Sequence, residues 1–113
     1  MTEKLDMIYL YGNSPRDGAY MDTLIPLIET QSTNGVKVGI VLIHDGVINA
    51  SSKRKATEQV KKLMELPIAV FVMAPDLKAR GILLDSINNA VKPINYEDLV
   101  DILDSSEKII SWM

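Results

Sequence analysis

The stretch that decides the fold is residues 38–46, Val-Gly-Ile-Val-Leu-Ile-His-Asp-Gly. Its first six residues form an unbroken nonpolar run, which His44, Asp45 and Gly46 then end. A run that does not alternate with polar residues is typical of a strand whose two faces are both covered. The segment therefore predicts a strand of a mainly parallel sheet, with helices packed on both sides.

Four more nonpolar segments of strand length continue this pattern outward along the chain. Met7–Leu10 lies before the central run, and Ile68–Met73 lies after it. Val91–Ile94 predicts a fourth strand at an edge or strand end, because Pro93 cannot donate to a sheet ladder, and Ile109–Met113 predicts a fifth. Since segments of helical length separate the strands, the sequence predicts an α/β fold, a three-layer α/β/α sandwich with a five-stranded, mainly parallel sheet.

Helix signals fall between the predicted strands. Met21–Gln31 predicts the first helix, with Pro26 in its first turn or at a kink. Asp76 is predicted to cap a single helical turn that ends at Gly81, and Asn95 is predicted to cap the last helix. The second helix is predicted from one apolar face at helical spacing, formed by Ala56, Val60, Leu63 and Met64.

Length and composition restrict the class of protein. The chain has 113 residues, of which 47% are hydrophobic and 24% charged, so it predicts one folded domain spanning residues 1–113. A net charge of −3 argues against a general nucleic-acid coat. The first residues are polar and the apolar runs are too short to span a membrane, so we expect a cytoplasmic protein with no membrane partner.

The sequence contains no cysteine and one histidine, His44. The missing thiol excludes disulfides, cysteine-ligated zinc, iron–sulfur clusters and thiolate catalysis by this chain. One histidine is too few for a histidine-rich metal site. The sequence therefore predicts neither a metal nor a cofactor.

Three loops leave the carboxyl ends of the first three predicted strands, where open parallel sheets bind ligands. The alternative is that their Asn, Ser and Asp side chains are turn and cap residues that satisfy backbone donors. The first loop, Gly12–Gly18, lacks the glycine fingerprints of nucleotide sites, although helix amides there could accept an anion. The candidate ligand or interface residues are Asn13, Ser14, Arg16, His44, Asp45, Gly46, Asp76, Lys78 and Arg80.

Catalysis by this chain is the least favoured interpretation. In an extended chain the side chains of His44 and Asp45 would point to opposite faces, which makes them a poor acid–base pair. Ser14 is not in a Gly-x-Ser-x-Gly context, so a hydrolase is disfavoured. An enzyme using Asp45, Asp76 and His44 ranks below a binding or structural role.

Charged and apolar patches suggest partners. Lys53, Arg54 and Lys55 form a candidate basic interface for an acidic protein or a tRNA phosphate, unless they are a solvated helix turn. Ile82–Leu84 and Ile109–Met113 are either core or are buried against another subunit. The opposite charge gathers near the last helix, which suggests side-by-side assembly unless these side chains form an ordinary solvated face. The acidic residues are Glu97, Asp98, Asp101, Asp104 and Glu107.

Several short motifs follow one another in order along the chain: Ser14-Pro15, Asp45-Gly46-Val47, Pro75 to Gly81, Tyr96 with Asp98-Leu99-Val100, and Ser111-Trp112. This series resembles the DsrH/TusB branch of the DsrE/DsrF/DsrH-like sulfur-relay family. The resemblance covers nearly the whole chain, and the stretch Asp-Leu-Lys-Ala-Arg-Gly at 76–81 is its most specific part.

The resemblance implies a five-stranded α/β/α domain that works as an oligomer subunit, often beside DsrE-like and DsrF-like relatives. It also implies transfer of sulfur as a cysteine persulfide, toward thiouridine in tRNA or within sulfur oxidation. Members of this branch can carry a cysteine early in the first helix, at a position that falls at about Leu24 here. This chain has none, and side chains without sulfur cannot form a persulfide.

Two hypotheses follow from the sequence. The first is a non-catalytic subunit of a sulfur-relay complex for tRNA thiolation or sulfur oxidation, in which a partner's cysteine carries the persulfide. Its expected partners are DsrE-like and DsrF-like subunits, with at most indirect contact with tRNA. The alternative is a stand-alone homo-oligomeric module that binds a small anion or nucleotide at the carboxyl ends of the strands.

Overall fold

A computed structural model describes residues 4–52 and 58–113. The described residues contain a five-stranded sheet in the order β4-β3-β2-β1-β5, in which every neighbouring pair of strands is parallel. The predicted five-stranded parallel sheet is thereby confirmed. The strands are β1 (Met7–Tyr11), β2 (Val38–Leu42), β3 (Ala69–Met73), β4 (Val91–Ile94) and β5 (Lys108–Trp112).

Helices connect the strands and cover the sheet. The chain steps from β1 to β4 in one direction and then crosses back to place β5 outside β1. Because parallel crossovers are right-handed, this reversal puts the last helix on the face opposite the first two, which contact each other. The helices are α1 (Gly18–Thr33), α2 (Glu58–Glu65), α3 (Ala74–Ala79) and α4 (Tyr96–Ser105), with 3₁₀ segments at Pro15–Asp17, His44–Ala50 and Leu84–Ser86.

The core is centred on β2, the middle strand of the sheet. All five of its residues are buried, and Ile40, Val41 and Leu42 have no exposed surface. Burying each such side chain contributes about 1.5–3 kcal/mol of hydrophobic stabilisation. The strand predicted from this unbroken nonpolar run is therefore confirmed, and the structure places it in the middle of the sheet.

Local helix signals were partly right. Asn95 caps α4 as predicted: its side-chain oxygen accepts the Asp98 N–H at 2.8 Å, and the Asp98 carboxylate accepts the Asn95 N–H at 3.1 Å. Pro26, however, lies in the interior of α1 and not in its first turn, because the helix begins at Gly18, earlier than predicted.

The predicted capping role of Asp76 is wrong. The residue that precedes α3 is Met73, which makes no side-chain capping bond, and Asp76 lies inside the helix. Its carboxylate instead accepts a backbone hydrogen bond from the loop after β2. The predicted end of this helix at Gly81 fits its backbone, since the φ angle of +69° lies in the left-handed region that favours glycine.

Candidate functional site

Arg80 joins two of the three predicted loops at the carboxyl edge of the sheet. Its Nε and Nη2 atoms each lie 3.1 Å from Oδ1 of Asp45, which follows β2. Its Nη1 donates to the backbone carbonyl of Asp76 at 3.2 Å and lies 3.9 Å from the Asp76 carboxylate. The guanidinium is thus already paired with carboxylates, so its charge stabilises the loops more than it attracts a free anion.

His44 sits at the junction between β2 and the 3₁₀ segment His44–Ala50. Its φ angle is 50°, in the left-handed region that few non-glycine residues adopt, and its N–H donates to Asp76 Oδ2 at 2.9 Å. The extended geometry considered for His44 and Asp45 is therefore wrong, since both residues belong to the 3₁₀ segment. The Asp76 contact uses the His44 backbone amide and leaves the imidazole outside this interaction.

Asn49 links the first two loops and is not among the site residues predicted from the sequence. It is 6% exposed, and its side-chain nitrogen donates to the carbonyls of Asn13 at 3.1 Å and of Gly46 at 3.0 Å. The available signal was a lone amide inside the otherwise apolar stretch 47–50, because a buried polar side chain requires partners.

The first loop is also anchored to the outer strand β5. The Gly12 N–H and the Asn13 side-chain nitrogen each donate to the Trp112 carbonyl, both at 3.2 Å. Asn13 therefore links β5 to the loop after β2. Its side chain donates to Trp112, and its backbone carbonyl accepts from Asn49. Within this loop, Ser14 Oγ accepts the Arg16 N–H at 3.3 Å, which is the predicted turn role.

Gly46 has a packing role that no other residue can fill. A Cβ atom at this position would overlap the Tyr11 carbonyl oxygen and would lie 3.3 Å from the Gly12 Cα. That carbonyl cannot move aside easily, because it accepts the Ile43 N–H at 3.0 Å. Glycine here allows the loop after β2 to press directly against the end of β1.

An open apolar groove of about 900 Å³ lies beside this edge, between α3 and the start of α4. Leu83 and Leu84 line it and are 61% and 57% exposed, so these two residues of the predicted apolar patch lie at the surface, whereas Ile82 packs against the core. Lys78 also lines the groove, and its side chain is exposed. Arg16, on the first loop, is exposed as well. The candidate basic residues Lys53, Arg54 and Lys55 lie outside the described residues.

The second predicted apolar patch, in β5, has one buried and one open side. Trp112 packs edge-on against Tyr9, with ring centroids 6.4 Å apart, whereas Ile109 and Met113 are 49% and 63% exposed. Burial raises the pKa of the Tyr9 hydroxyl, which donates to the Gln31 side chain at 2.8 Å. In the part of the chain that the structure describes, the buried Trp112 Nε1 has no hydrogen-bond partner.

The carboxylates of this edge are engaged by Arg80 and by a backbone N–H. The chain has no cysteine that could act as a nucleophile. Across residues 4–52 and 58–113, no cluster of His, Asp or Glu is arranged to hold a metal ion. Among the same residues, no helix has the length and apolar character needed to cross a membrane.

Known proteins of one family match nearly the whole chain. The family described as DsrH like protein matches residues 13–109. Protein TusB of Yersinia pestis (strain Pestoides F) is 30% identical over 106 residues, which cover 94% of this chain and 100% of TusB. Protein TusB of Yersinia pseudotuberculosis serotype O:1b (strain IP 31758) matches with the same identity and coverage.

Two solved structures share the fold. The crystal structure of the ychN protein from E. coli superimposes with a TM-score of 0.77 and 16% identity, covering 95% of this chain and 98% of that one. MTH1491 from Methanobacterium thermoautotrophicum, a protein of unknown function, gives a TM-score of 0.69 and 14% identity, covering 90% and 96%. At these identities the likeness concerns the fold alone.

Proposed function

The chain belongs to the DsrH-like family, and from this premise we propose that it is a non-catalytic subunit of a sulfur-relay complex. In this proposal the complex serves tRNA thiolation or sulfur oxidation in the cytoplasm. A cysteine of a partner subunit carries the persulfide, and this chain supports the transfer without forming a bond to sulfur.

The observation that carries the proposal is the absence of any thiol from a chain that matches its family over nearly its full length. Persulfide transfer needs a thiolate that attacks the outer sulfur, forms a new S–S bond and releases the donor thiolate. No side chain of this protein can take part in that exchange. The family resemblance places a cysteine at about Leu24, whose side chain has no exposed surface and packs in the core.

In this proposal the chain contributes a binding surface for a partner subunit. The exposed Leu83 and Leu84 line an apolar groove, and the Arg80–Asp45 pair bridges the neighbouring loops. Interfaces of this kind combine an apolar centre with a polar rim. DsrE-like and DsrF-like subunits are the partners that the family membership suggests, and any contact with tRNA would then pass through them.

Reconstitution tests the proposal. We expect this protein, mixed with recombinant DsrE-like and DsrF-like proteins from its own source, to form a complex of defined mass in native mass spectrometry. We also expect the rate of persulfide transfer to a partner's cysteine, followed by mass analysis of that cysteine, to rise when this chain is present. No complex, or an unchanged transfer rate, would contradict the proposal.

A matched pair of variants sharpens this experiment. Leu84→Ser removes an exposed apolar side chain from the groove and should reduce complex formation. Lys61→Ser changes an exposed residue on α2 and should leave it intact. Equal behaviour of the two variants would remove the groove from the proposed interface.

The alternative, a stand-alone module for a small anion or nucleotide, is supported by exposed Lys78 and Arg16 at the same edge. It is weakened by the pairing of Arg80 with Asp45. The melting temperature, measured with phosphate, sulfate, thiosulfate and nucleotides, distinguishes the anion-binding module from the relay subunit. A ligand at a hundredfold excess over its Kd should stabilise the protein by about 2.7 kcal/mol, and an unchanged melting temperature across the panel counts against the module.

A further inference from the structure

The two edges of the sheet differ in the backbone donors that they present. In a parallel ladder, alternate residues of an edge strand bond inward to their neighbour and the others point outward. On β4 the outward position 93 is proline, which has no N–H, and the outward Val91 N–H bonds to the Asn88 carbonyl at 3.0 Å. The β4 edge is therefore closed to further strands.

Among residues 4–52 and 58–113, the β5 edge has no such protection. The Lys108 N–H donates to the Asp6 carbonyl and the Trp112 carbonyl accepts the Gly12 N–H, so residues 108, 110 and 112 face β1. Ile109 and Ser111 then direct their N–H and carbonyl groups away from the sheet. Both residues are exposed, and β5 contains no proline and a single charged residue, Lys108. An exposed, mostly apolar edge strand is a template for pairing with another chain.

We propose that β5 pairs antiparallel with β5 of a second copy of this protein, across a two-fold axis at Ile110. In this register Ile109 of one copy lies opposite Ser111 of the other. An opposed pair of outward-facing residues exchanges two hydrogen bonds, so the two equivalent pairs form four. A shift by one residue would place outward-facing groups opposite inward-facing ones and would lose these bonds.

The side chains of β5 fit the same register. Ile110 meets its own copy at the axis, which forms an apolar contact at the centre of the interface. Lys108 lies opposite Trp112 on the same face of the joined sheet, and an ammonium group beside an indole ring is a favourable cation–π pair. The strand is therefore self-complementary, which is what a two-fold interface between identical surfaces requires.

This inference goes beyond the proposed function and does not depend on it, because it concerns the protein purified alone. We expect native mass spectrometry and sedimentation to give twice the chain mass of 12.6 kDa. Ser111→Pro removes an outward donor without touching the bonds to β1 and should shift the protein to monomer. Val100→Lys, which changes an exposed residue of α4, should leave the dimer intact.

Because the natural chain has no thiol, a single introduced cysteine gives a second, independent readout. At the two-fold axis the Cα atoms of a non-hydrogen-bonded antiparallel pair lie about 4.5 Å apart, within the range that a disulfide spans. Ile110→Cys should therefore form a disulfide-linked dimer on mild oxidation, and Lys92→Cys on the closed β4 edge should not. A monomer at micromolar concentration, or a dimer that survives Ser111→Pro and is not linked through Ile110→Cys, overturns the proposal. Circular dichroism confirms that each variant is folded.

Discussion

Two segments at the same end of the sheet differ in a way that their composition does not suggest. His44–Ala50 contains polar residues and yet buries Gly46, Val47, Asn49 and Ala50. Residues 81–85 contain two leucines and yet leave Leu83 and Leu84 more than half exposed. The first segment packs against the end of β1 and is hydrogen-bonded to the loop that follows β1, whereas the second lines an open groove. In this molecule the polar loop supports the fold and the apolar loop is left at the surface.

The largest effect expected from this difference is that of Gly46→Ala. The added methyl group would overlap the Tyr11 carbonyl, which is held by Ile43, so we expect a loss of about 3 kcal/mol or more of unfolding free energy. Urea denaturation followed by circular dichroism measures it. Gly81→Ala is the matched control: its φ is positive but no atom lies within 4 Å, so only the backbone cost of about 1–2 kcal/mol should appear. Equal losses in the two variants would contradict the packing role of Gly46.

Asn49→Ala should have the next largest effect. It removes the donor shared by the Asn13 and Gly46 carbonyls at a buried position, which should cost about 1–3 kcal/mol. Hydrogen exchange should also show faster exchange in the first loop, since its tie to the second is lost. Asn34→Ala, at an exposed position, serves as the control. Protection of the first loop that is unchanged in Asn49→Ala would show that this link does not order it.

A smaller effect is expected for the Arg80–Asp45 pair, because exposed ion pairs contribute little. The Asp45 side chain is 63% exposed, so the coupling between the two residues should be below about 1 kcal/mol. A double-mutant cycle with Arg80→Ala and Asp45→Ala measures it, and the coupling should fall as salt is raised. Coupling that does not depend on salt would contradict a solvent-screened pair.

The smallest effect on stability is expected in the apolar segment. Leu83→Ser changes an exposed side chain, so the unfolding free energy should move by no more than about 0.5 kcal/mol. Thermal and urea melts of the isolated protein check this value. A loss above 2 kcal/mol would show that Leu83 belongs to the core, and the contrast between the two segments would then disappear.

The features that depend on local sequence pattern were predicted from the sequence. The contacts between residues that lie far apart along the chain were not. Unbroken nonpolar runs predicted strands such as β2 because a strand covered on both faces needs no polar position. The Asn95 cap was predicted because its partner, Asp98, is three residues away.

Asp76 was misjudged because its carboxylate bonds to His44, 32 residues earlier. The same limit applies to the candidate site. The loops were predicted correctly to follow the first three strands, since that follows from the order of elements. Their internal contacts were not predicted: Asn49 reaches Asn13 across 36 residues, and the left-handed backbone at His44 has no glycine or asparagine to signal it. Such pairings arise only when the sheet brings the loops together.

The position of β5 also sets the order in which the protein can fold. Asn13 and its acceptor, the Trp112 carbonyl, are 99 residues apart, so β1 is synthesised long before its outer neighbour. Contacts between such distant segments slow folding, and until β5 arrives the outer side of β1 is an unpaired strand edge. During translation, the first loop is therefore among the earliest parts of this domain to be made, and its anchor to β5 is among the last contacts to form.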